Sequence, residues 1–379
     1  MPHPRFAMVA GEASGDLLAG HVLDAMRARW PELGAGGIGG AQMDARHFLS
    51  WWPAEKLAVS GYAEVLRHLR EILRIRDDLR HRLLADRPDV FIGVDAPDFN
   101  LGLESQLRAA GIKTVHFVCP SIWAWRMKRV EKLKRACDHV LCIFPFEPEL
   151  LARHGVASTY VGHPLASVIP MEPDQAGARR KLGLPADAKV VAVLPGSRAS
   201  EIEAHTARFL KAAAMLEKQR GDTWFVLPAV PALQARIGEI ARRGPAPRHL
   251  TIVTGQSHAA LAACDVALVA SGTATLETAL FKRPMVISYR TSWLTYALMK
   301  PRHLLPWVGL PNILCRDFVV PELLQSNAKP DLLARALGEW LASPDRMRSV
   351  QEKFRALHAD LKRDTATLAT DAIEKVLAS

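Results

Sequence analysis

Short apolar segments alternate with helical segments along most of this chain, and that alternation constrains the fold more than any other feature. FAMVAG (6–11) and VFIGVD (90–95) are examples in the first half, and KVVAVL (189–194) and VALVAS (266–271) in the second. Their apolar residues are consecutive, which is typical of strands buried on both faces. Alternation of such strands with helices predicts parallel sheets covered by helices, which is a doubly wound α/β fold.

The other elements continue the same pattern in both halves. Further strands are predicted at 113–118, 139–144, 158–162, 224–230, 251–255 and 284–290. Helical patterns fill 16–28, 62–84, 101–110, 124–136, 201–220, 231–243, 257–263 and 275–282. The second sheet is therefore expected to have all its strands by residue 290.

A length of 379 residues predicts two domains. The stretch 163–188 holds four prolines and no strand pattern, so we place the boundary there. The first Rossmann-like domain then spans 1–165 and the second spans 188–345. The charged helical tail, 346–379, is a candidate for packing back onto the first domain.

The chain carries a net charge of +10. Such a balance favours phosphate-rich partners or an anionic membrane face. No helix-turn-helix, zinc-finger or RNP-type signature is present, so a nucleic-acid partner is disfavoured. The five cysteines form no CxxC pair, and buried free thiols are expected rather than disulfides or zinc. No segment has the pattern of a signal peptide or a membrane span, which predicts a cytoplasmic protein.

The segment PGSR (195–198) follows a predicted strand and precedes a predicted helix. Gly196 permits close approach of the backbone, Ser197 offers a hydroxyl, and the guanidinium of Arg198 suits a phosphate. The helix N-terminus adds N–H donors. A simple turn with a surface arginine is the alternative. The spacing is not that of a Walker A loop.

A second loop of small residues, SGTATLE (271–277), follows another strand of the same half. Its residues Ser271, Gly272, Thr273 and Ala274 leave room for a diphosphate. Glu277 could accept two ribose hydroxyls, or it could be a capping-box glutamate. Because carboxyl ends of parallel strands share one edge, both loops predict a single nucleoside-diphosphate pocket.

In the first half, AGEASGD (10–16) and GVDAPDFN (93–100) also follow strands. Ser14 or Asp16 is expected to cap the next helix, which leaves Glu12 free for the cleft. Asp95, at the end of a buried strand, suits a general base. Asp98 is mainly expected to be a helix N-cap.

Other candidate groups have weaker patterns. His116 lies within a strand, where a core histidine is the more ordinary interpretation. No metal-ligand spacing is present, so we expect no metal, and basic residues would neutralise a diphosphate instead. Three segments, 62–84, 121–135 and 292–314, combine apolar and mostly basic residues, and together they favour a lipid-facing surface over solvated helices alone.

Six motifs in this order resemble the lipid-A-disaccharide synthase family: VAGEASGD, GVDAPDFN, SIWAWR, PGSR, SGTATLE and GLPNIL. The resemblance runs from about residue 6 to about residue 325. It implies a GT-B fold, with two Rossmann-like domains facing across a cleft. It also implies an inverting glycosyltransferase, which joins UDP-2,3-diacylglucosamine to 2,3-diacylglucosamine 1-phosphate (lipid X) and releases UDP without a separate cofactor.

The same resemblance assigns roles to the residues. It implies Arg198 at the phosphates, Glu277 at the ribose and Asp95 as the base, with Glu12 beside the acceptor. The acceptor side and the rest of the cleft would include Ser14, Asp98, His116, Trp123, Arg126, Asn312, Glu322 and Gln325. The implied partner surface is the anionic inner membrane face, with the protein bound peripherally. A homodimer is kept as an option.

Two alternatives remain open on sequence alone. One is another GT-B enzyme, such as a UDP-GlcNAc 2-epimerase, whose activity would not depend on acyl chains. The other is a non-catalytic sugar-nucleotide sensor, which would bind UDP without turnover.

Overall fold

The structure, a computed structural model, describes residues 3–57, 62–125, 129–291 and 305–379. The chain forms two compact units. The first unit comprises Met1–Pro164 and Leu361–Ser379, and the second comprises Leu165–Asp360.

A parallel sheet of seven strands forms the centre of the first unit. Its strands are β1 (Arg5–Ala10), β2 (Gly34–Gly39), β3 (Leu49–Pro53), β4 (Val90–Val94), β5 (Lys113–Phe117), β6 (His139–Cys142) and β7 (Ser158–Tyr160). The strand order is β3-β2-β1-β4-β5-β6-β7. The order reverses between β1 and β4, which pair with Ala10 opposite Val94. In open α/β sheets a reversal of this kind marks the usual place for a ligand.

Helices cover this sheet. In chain order they are α1 (Ala13–Arg29), α2 (Ala41–Asp44), α3 (Tyr62–Asp86), α4 (Pro97–Ala109), α5 (Ile122–Trp125), α6 (Arg129–Ala136) and α7 (Glu147–Ala152). One core cluster joins Val9, Ile38 and Phe91 of the sheet to Leu79 and Leu103 of the helices. Burial of this apolar surface holds the strand ends, and hence the loops after them, in place.

Two strands of the first sheet, β2 and β3, are absent from the sequence prediction. The sequence of β2 is GAGGIG, and glycine is depleted in strands. The structure gives the reason for at least one glycine: a Cβ on Gly36 would lie 2.8 Å from Cζ2 of Trp51. Close packing against β3 therefore requires a residue type that hides β2 from pattern recognition.

The second unit contains a parallel sheet of six strands. They are β8 (Lys189–Leu194), β9 (Thr223–Ala229), β10 (Leu250–Thr254), β11 (Val266–Ala270), β12 (Met285–Tyr289) and β13 (Glu322–Leu324), in the order β10-β9-β8-β11-β12-β13. The order reverses between β8 and β11. The expectation that this sheet ends by residue 290 is wrong, because β13 pairs with β12.

The helices of the second unit are α8 (Pro164–Val168), α9 (Gln175–Leu182), α10 (Ala199–Arg220), α11 (Gln234–Arg243), α12 (Ser257–Ala263), α13 (Thr273–Leu280), α14 (Leu310–Cys315), α15 (Pro330–Leu341) and α16 (Pro344–Leu361). The last helix, α17 (Thr365–Ala378), belongs to the first unit. There Arg29 of α1 forms ion pairs with Asp371 at 2.7 Å and Glu374 at 2.5 Å.

Two further expectations concern the chain as a whole. All five cysteines are free thiols, and four of them are buried. Within the described ranges, no helix has both the length and the apolar character needed to cross a bilayer.

Candidate active site

A pocket of about 440 Å³ opens at the carboxyl edge of the second sheet, where the strand order reverses between β8 and β11. The two loops predicted to share a site both line it. The lining residues are Leu194, Gly196, Ser197, Arg198, Glu201, Pro228, Val230, Ser257, Ala270, Ser271, Gly272, Thr273, Ala274 and Glu277. The structure thus brings together all eight residues predicted to bind UDP.

The loop 195–198 is organised by Glu201, in the first turn of α10. The backbone N–H groups of Ser197 and Arg198 donate to Oε2 of Glu201, at 3.0 and 3.3 Å. Nη1 of Arg198 lies 3.3 Å from Oε1 of the same carboxylate, and its side chain remains mostly exposed. Since these N–H groups are engaged, the largely exposed guanidinium of Arg198 and the hydroxyl of Ser197 are the groups that this loop can offer an anion.

The loop 271–274 provides open space next to the start of α13. Gly272 is the N-cap residue, with φ 153°, and no atom lies within 4 Å of where its Cβ would be. Counting from that cap, Glu277 is the fifth residue of the helix, so the capping-box interpretation of Glu277 is wrong. Its carboxylate instead lies 3.4 Å from Nε2 of His258 and lines the pocket.

Sequence reasoning missed several lining residues. Glu201 has the spacing of a capping-box residue after Arg198, a signal that was available but not used. Ser257 begins α12 just beyond β10, so the rule that located the other loops would also have found it. Pro228 and Val230, near the end of β9, offer no pattern that separates them from an ordinary strand.

In the first unit, Asp95 immediately follows β4 at the corresponding reversal of strand order. It has φ 52°, and the next residue, Ala96, has φ 42°, so two non-glycine residues in succession are left-handed. This backbone is held by bonds from Asp95 N to Phe117 O (2.8 Å) and from Nδ2 of Asn100 to Asp95 O (2.9 Å). Strained backbone of this kind clusters at functional sites. The Asp95 side chain is half-buried.

The loop after β1 lies beside the loop after β4. A Cβ on Gly11 would lie 3.8 Å from Cβ of Ala96. Glu12 is exposed and is itself the N-cap residue of α1, and Ser14 is exposed in the first turn. The expectation that Ser14 or Asp16 caps α1 is wrong.

Asp16 has a different structural role. Its buried carboxylate accepts hydrogen bonds from the backbone N–H groups of Gly40, Gln42 and Met43, at 2.8, 2.9 and 3.1 Å. It therefore caps the short helix α2 and attaches that helix to α1.

Asp98 is likewise not an N-cap, because Ala96 occupies that position and α4 begins at Pro97. Its side chain is 83% exposed and forms an ion pair with Arg129 at 2.7 Å. Asp98 is therefore only three residues from Asp95 in the chain, but its carboxylate is much more exposed to solvent.

Two residues predicted for the cleft are core residues. His116 is fully buried and its Nδ1 lies 2.8 Å from Oε1 of Glu104, so it does not line an accessible surface. Trp123 is 7% exposed, and its Nε1 donates to Oε1 of Glu147 at 3.0 Å. Arg126 lies outside the described residues, as does most of the predicted lipid-facing segment 292–314.

Asn312 and Glu322 form a linked pair in the second unit. The Glu322 carboxylate accepts from Val308 N, Gly309 N and Nδ2 of Asn312, at 2.8–3.2 Å, and so holds the backbone just before α14 in place. Asn312 is fully buried and also bonds both backbone groups of Val320. Both therefore support the segment 309–315. Gln325, half-buried directly after β13, has φ 50°.

Two buried groups of side chains have donor atoms that could hold a metal: Glu104, His116 and Cys137, and Cys119, Cys142 and Glu147. In each group the donor atoms lie within 4.8 Å of one another. Hydrogen bonds already use several of them, including Cys137 Sγ to Glu104 Oε2 at 3.2 Å. Both groups belong to the first unit, whereas the residues that line the pocket with the two loops belong to the second.

Comparisons with known proteins agree with the sequence motifs. The family model for lipid-A-disaccharide synthetase matches residues 6–376. A lipid-A-disaccharide synthase from Albidiferax ferrireducens is 60% identical over 380 residues, covering 99% of this chain and 98% of its own length.

Solved structures are similar at much lower identity. A putative UDP-N-acetylglucosamine 2-epimerase from Listeria monocytogenes aligns with TM-score 0.64 and 11% identity, over 98% of this chain and 94% of that one. MurG from Acinetobacter baumannii aligns with TM-score 0.59 and 13% identity, over 99% of this chain and all of that one. These likenesses show the GT-B fold and no more, so the epimerase alternative gains nothing from them.

Proposed function

Because this chain belongs to the lipid-A-disaccharide synthetase family, we propose that it transfers 2,3-diacylglucosamine from UDP to 2,3-diacylglucosamine 1-phosphate (lipid X). The products are UDP and a β-1,6-linked disaccharide 1-phosphate. The observation that carries the proposal is the pocket between β8 and β11, where both loops of the nucleotide motif line a single cavity. A sensor would need the same pocket, but the family consists of glycosyltransferases.

In this proposal the second unit binds the donor. Arg198 lies on the pocket wall with its guanidinium exposed, and it would neutralise the diphosphate. The small residues 271–274 would leave room for the phosphates over the N-terminus of α13, which adds favourable dipole charge. Glu277 would accept hydrogen bonds from the ribose hydroxyls, with His258 orienting its carboxylate.

The first unit would supply the base. Asp95 would take the proton from the acceptor hydroxyl while that oxygen attacks the anomeric carbon and the bond to UDP breaks. The strained backbone at 95 and 96 supports this role, since it fixes the carboxylate at the strand end. Glu12 and Ser14 are exposed beside it and would contact the acceptor.

We further propose peripheral association with the inner membrane. On α3, Leu69 and Leu73 are 39% and 42% exposed, and the Arg74 side chain is 85% exposed. Exposed leucines beside arginines suit a lipid–water interface with anionic headgroups. Sedimentation with anionic vesicles tests this, and analytical ultracentrifugation tests whether the chain forms a homodimer.

The decisive experiment is a transfer assay in detergent with both acylated sugars, following UDP and the disaccharide phosphate together. Equal appearance of both supports the synthase. UDP release without disaccharide would mean hydrolysis or another acceptor. Absence of any release, with UDP still bound, would return the sensor alternative.

A further inference from the structure

We call the pocket lined by the loops 195–198 and 271–274 the nucleotide pocket. A second pocket, of about 450 Å³, lies beside it in the second unit. It lies between the first turns of α10 and the end of β12. The lining residues are Ser200, Glu201, Glu203, Ala204, His205, Arg208, Tyr289, Arg290 and Thr291. We call it the arginine pocket.

The arginine pocket is distinct from the nucleotide pocket. The two share only Glu201 in their linings. The carboxylate of Glu201 is bonded to the loop 195–198 on the nucleotide side, through Ser197 N and Arg198 N. Glu201 therefore forms a wall between them, with Arg198 about one helical turn before it and Arg208 about two turns after it in the chain.

Two cationic side chains meet in the arginine pocket. Partial burial lowers the pKa of Arg208, and the nearby charge of Arg290 lowers it further. Nη1 of Arg208 donates to a backbone carbonyl, Ala204 O, at 2.9 Å, and among the described residues no carboxylate pairs with it. Like charges placed together and partly desolvated are unfavourable unless an anion joins them.

The acidic residues of this pocket are committed elsewhere. Glu203 is bound by both Nε and Nη2 of Arg236, at 2.5 and 2.9 Å. Glu201 is engaged by the loop 195–198, as described above. Among the described residues, then, no carboxylate is left over for Arg208 or Arg290.

The remaining wall is rigid and neutral. Nδ1 of His205 lies 3.2 Å from Pro195 O, and its Nε2 accepts from Arg290 N at 3.1 Å, so the ring is held in the Nδ1–H form. Burial lowers the pKa of His205, which keeps the ring uncharged near neutral pH. The ring of Tyr289 packs on it at 5.0 Å. Hydroxyls of Ser200, Tyr289 and Thr291 can donate to the same anion.

We propose that the arginine pocket binds a second phosphate group, separate from the diphosphate of the nucleotide. Two guanidiniums and several hydroxyls at one opening are the donor set that phosphate monoesters and diesters prefer. Resting on the proposed function, the sources are the 1-phosphate of the acceptor and the headgroup of a membrane phospholipid. A phosphate of the acceptor bound here would orient that substrate beside the donor.

The test uses the full chain with Arg208→Gln, Arg290→Gln and the double variant. Arg335→Gln is the matched control, because Arg335 is exposed on α15 and outside both pockets. Melting temperature and UDP affinity are measured first, and both should match the unaltered chain. Arg208→Lys keeps the positive charge. It should therefore lose less of the phosphate-dependent binding, measured as described next, than Arg208→Gln loses.

Transfer is then measured in detergent with two acceptors, with and without the 1-phosphate. If the acceptor's phosphate binds here, the preference in kcat/KM for the phosphorylated acceptor falls roughly tenfold or more in the double variant, since two charge-assisted bonds are lost. Vesicles of phosphatidylglycerol in phosphatidylcholine form the other arm. Loss of sedimentation, with unchanged acceptor preference, assigns the pocket to a phospholipid headgroup.

Two results would overturn the proposal. One is an unchanged acceptor preference together with unchanged vesicle binding. The other is weaker UDP binding in Arg208→Gln, which would make the pocket part of the nucleotide site. If the unaltered chain transfers no sugar, the proposed function fails, but calorimetry with glucosamine 1-phosphate in the presence of saturating UDP still tests the pocket.

Discussion

Gly196 lies directly beneath the side chain of Glu201: a Cβ at residue 196 would come within 2.5 Å of Cβ of Glu201. The backbone at Gly196 also has φ 127°, a conformation that side chains disfavour. The hydrogen bond from Arg198 N to the Glu201 carboxylate fixes the backbone position of Arg198. It therefore also limits where the Arg198 guanidinium can lie in the pocket.

Gly196→Ala should therefore weaken UDP binding by about tenfold or more, because the new methyl group displaces Glu201 and the loop it holds. Isothermal titration with UDP measures the loss. Gly221→Ala is the control: it has φ 75°, but nothing lies within 4 Å of its Cβ position, and it is outside the nucleotide pocket. That change should cost about 1 kcal/mol of stability and leave UDP affinity unaltered. Equal UDP affinity in both variants would refute the role given to Gly196.

Asp95→Asn should reduce turnover by about 10²–10⁴-fold, since removal of a general base has effects of this size. UDP affinity and thermal stability should change little, because the structural bonds of residue 95 are made by its backbone. The matched variant is Asp98→Asn, whose carboxylate is exposed and pairs with Arg129. Loss of an exposed ion pair costs about 1 kcal/mol or less. We therefore expect the turnover of Asp98→Asn to change by only a few-fold. Similar losses from both variants would remove Asp95 from the role of base.

Much of the site followed from the sequence because each motif is local and comes directly after a strand. Asp95, Arg198 and Gly272 could be placed at strand ends without knowing the strand order, since parallel strands end at a common edge. Contacts that depend on register were not predictable in this way. Asp16, for example, caps a helix 24–27 residues further along the chain, and not its own.

The missed strands have a physical reason too. Four of the six residues of β2 are glycine, and β13 has only three residues, so neither carries a recognisable period. The buried position of Asn312 was also out of reach, whereas the burial of His116 agrees with its interpretation as a core histidine. The sequence does not indicate whether a polar residue in an apolar strand or loop forms its hydrogen bonds with core residues or with a bound ligand.

Asn312→Asp should destabilise the second unit by about 3–5 kcal/mol at neutral pH, because it buries a carboxylate beside that of Glu322. Nδ2 of Asn312 now donates to Oε1 of Glu322 at 2.8 Å, and this bond becomes a repulsion. Repulsion and burial raise the pKa of the introduced acid in the folded state. Stability is then lost as pH rises above about 4, the pKa of an unfolded aspartate. Urea unfolding at several pH values measures this loss.

The double variant Asn312→Asp with Glu322→Gln separates repulsion from simple loss of a donor. Removing the second charge should recover part of the stability, because it lowers the folded-state pKa of the introduced acid. The loss should still begin near pH 4, but it should be smaller and should end at a lower pH. If the single and double variants have the same pH profile, the two side chains are not coupled as the structure describes.

Glu147 should make the first unit less stable as pH rises from about 4.5 to about 8. Burial raises the pKa of this carboxyl from 4.5 to about 8, and the N–H donors of Phe144 and Trp123 lower it by a smaller amount. The folded state therefore holds a proton that the unfolded state releases above about 4.5. The stabilisation is complete below that pH, declines across the window and is gone above about 8.

Glu147→Gln should remove this slope, and the measurement is urea unfolding of the first unit at pH 5, 6.5 and 8, followed by Trp fluorescence. Burial lowers the pKa of His163 to about 4, so its contribution to the free energy of unfolding rises with pH between about 4 and 6.5. The informative quantity is therefore the difference in unfolding free energy between the variant and the unaltered chain at each pH. Glu149→Gln is the control on the same helix, because that carboxylate is exposed and pairs with Arg153. A slope that persists in Glu147→Gln, or disappears in Glu149→Gln, would show that the buried proton is held elsewhere.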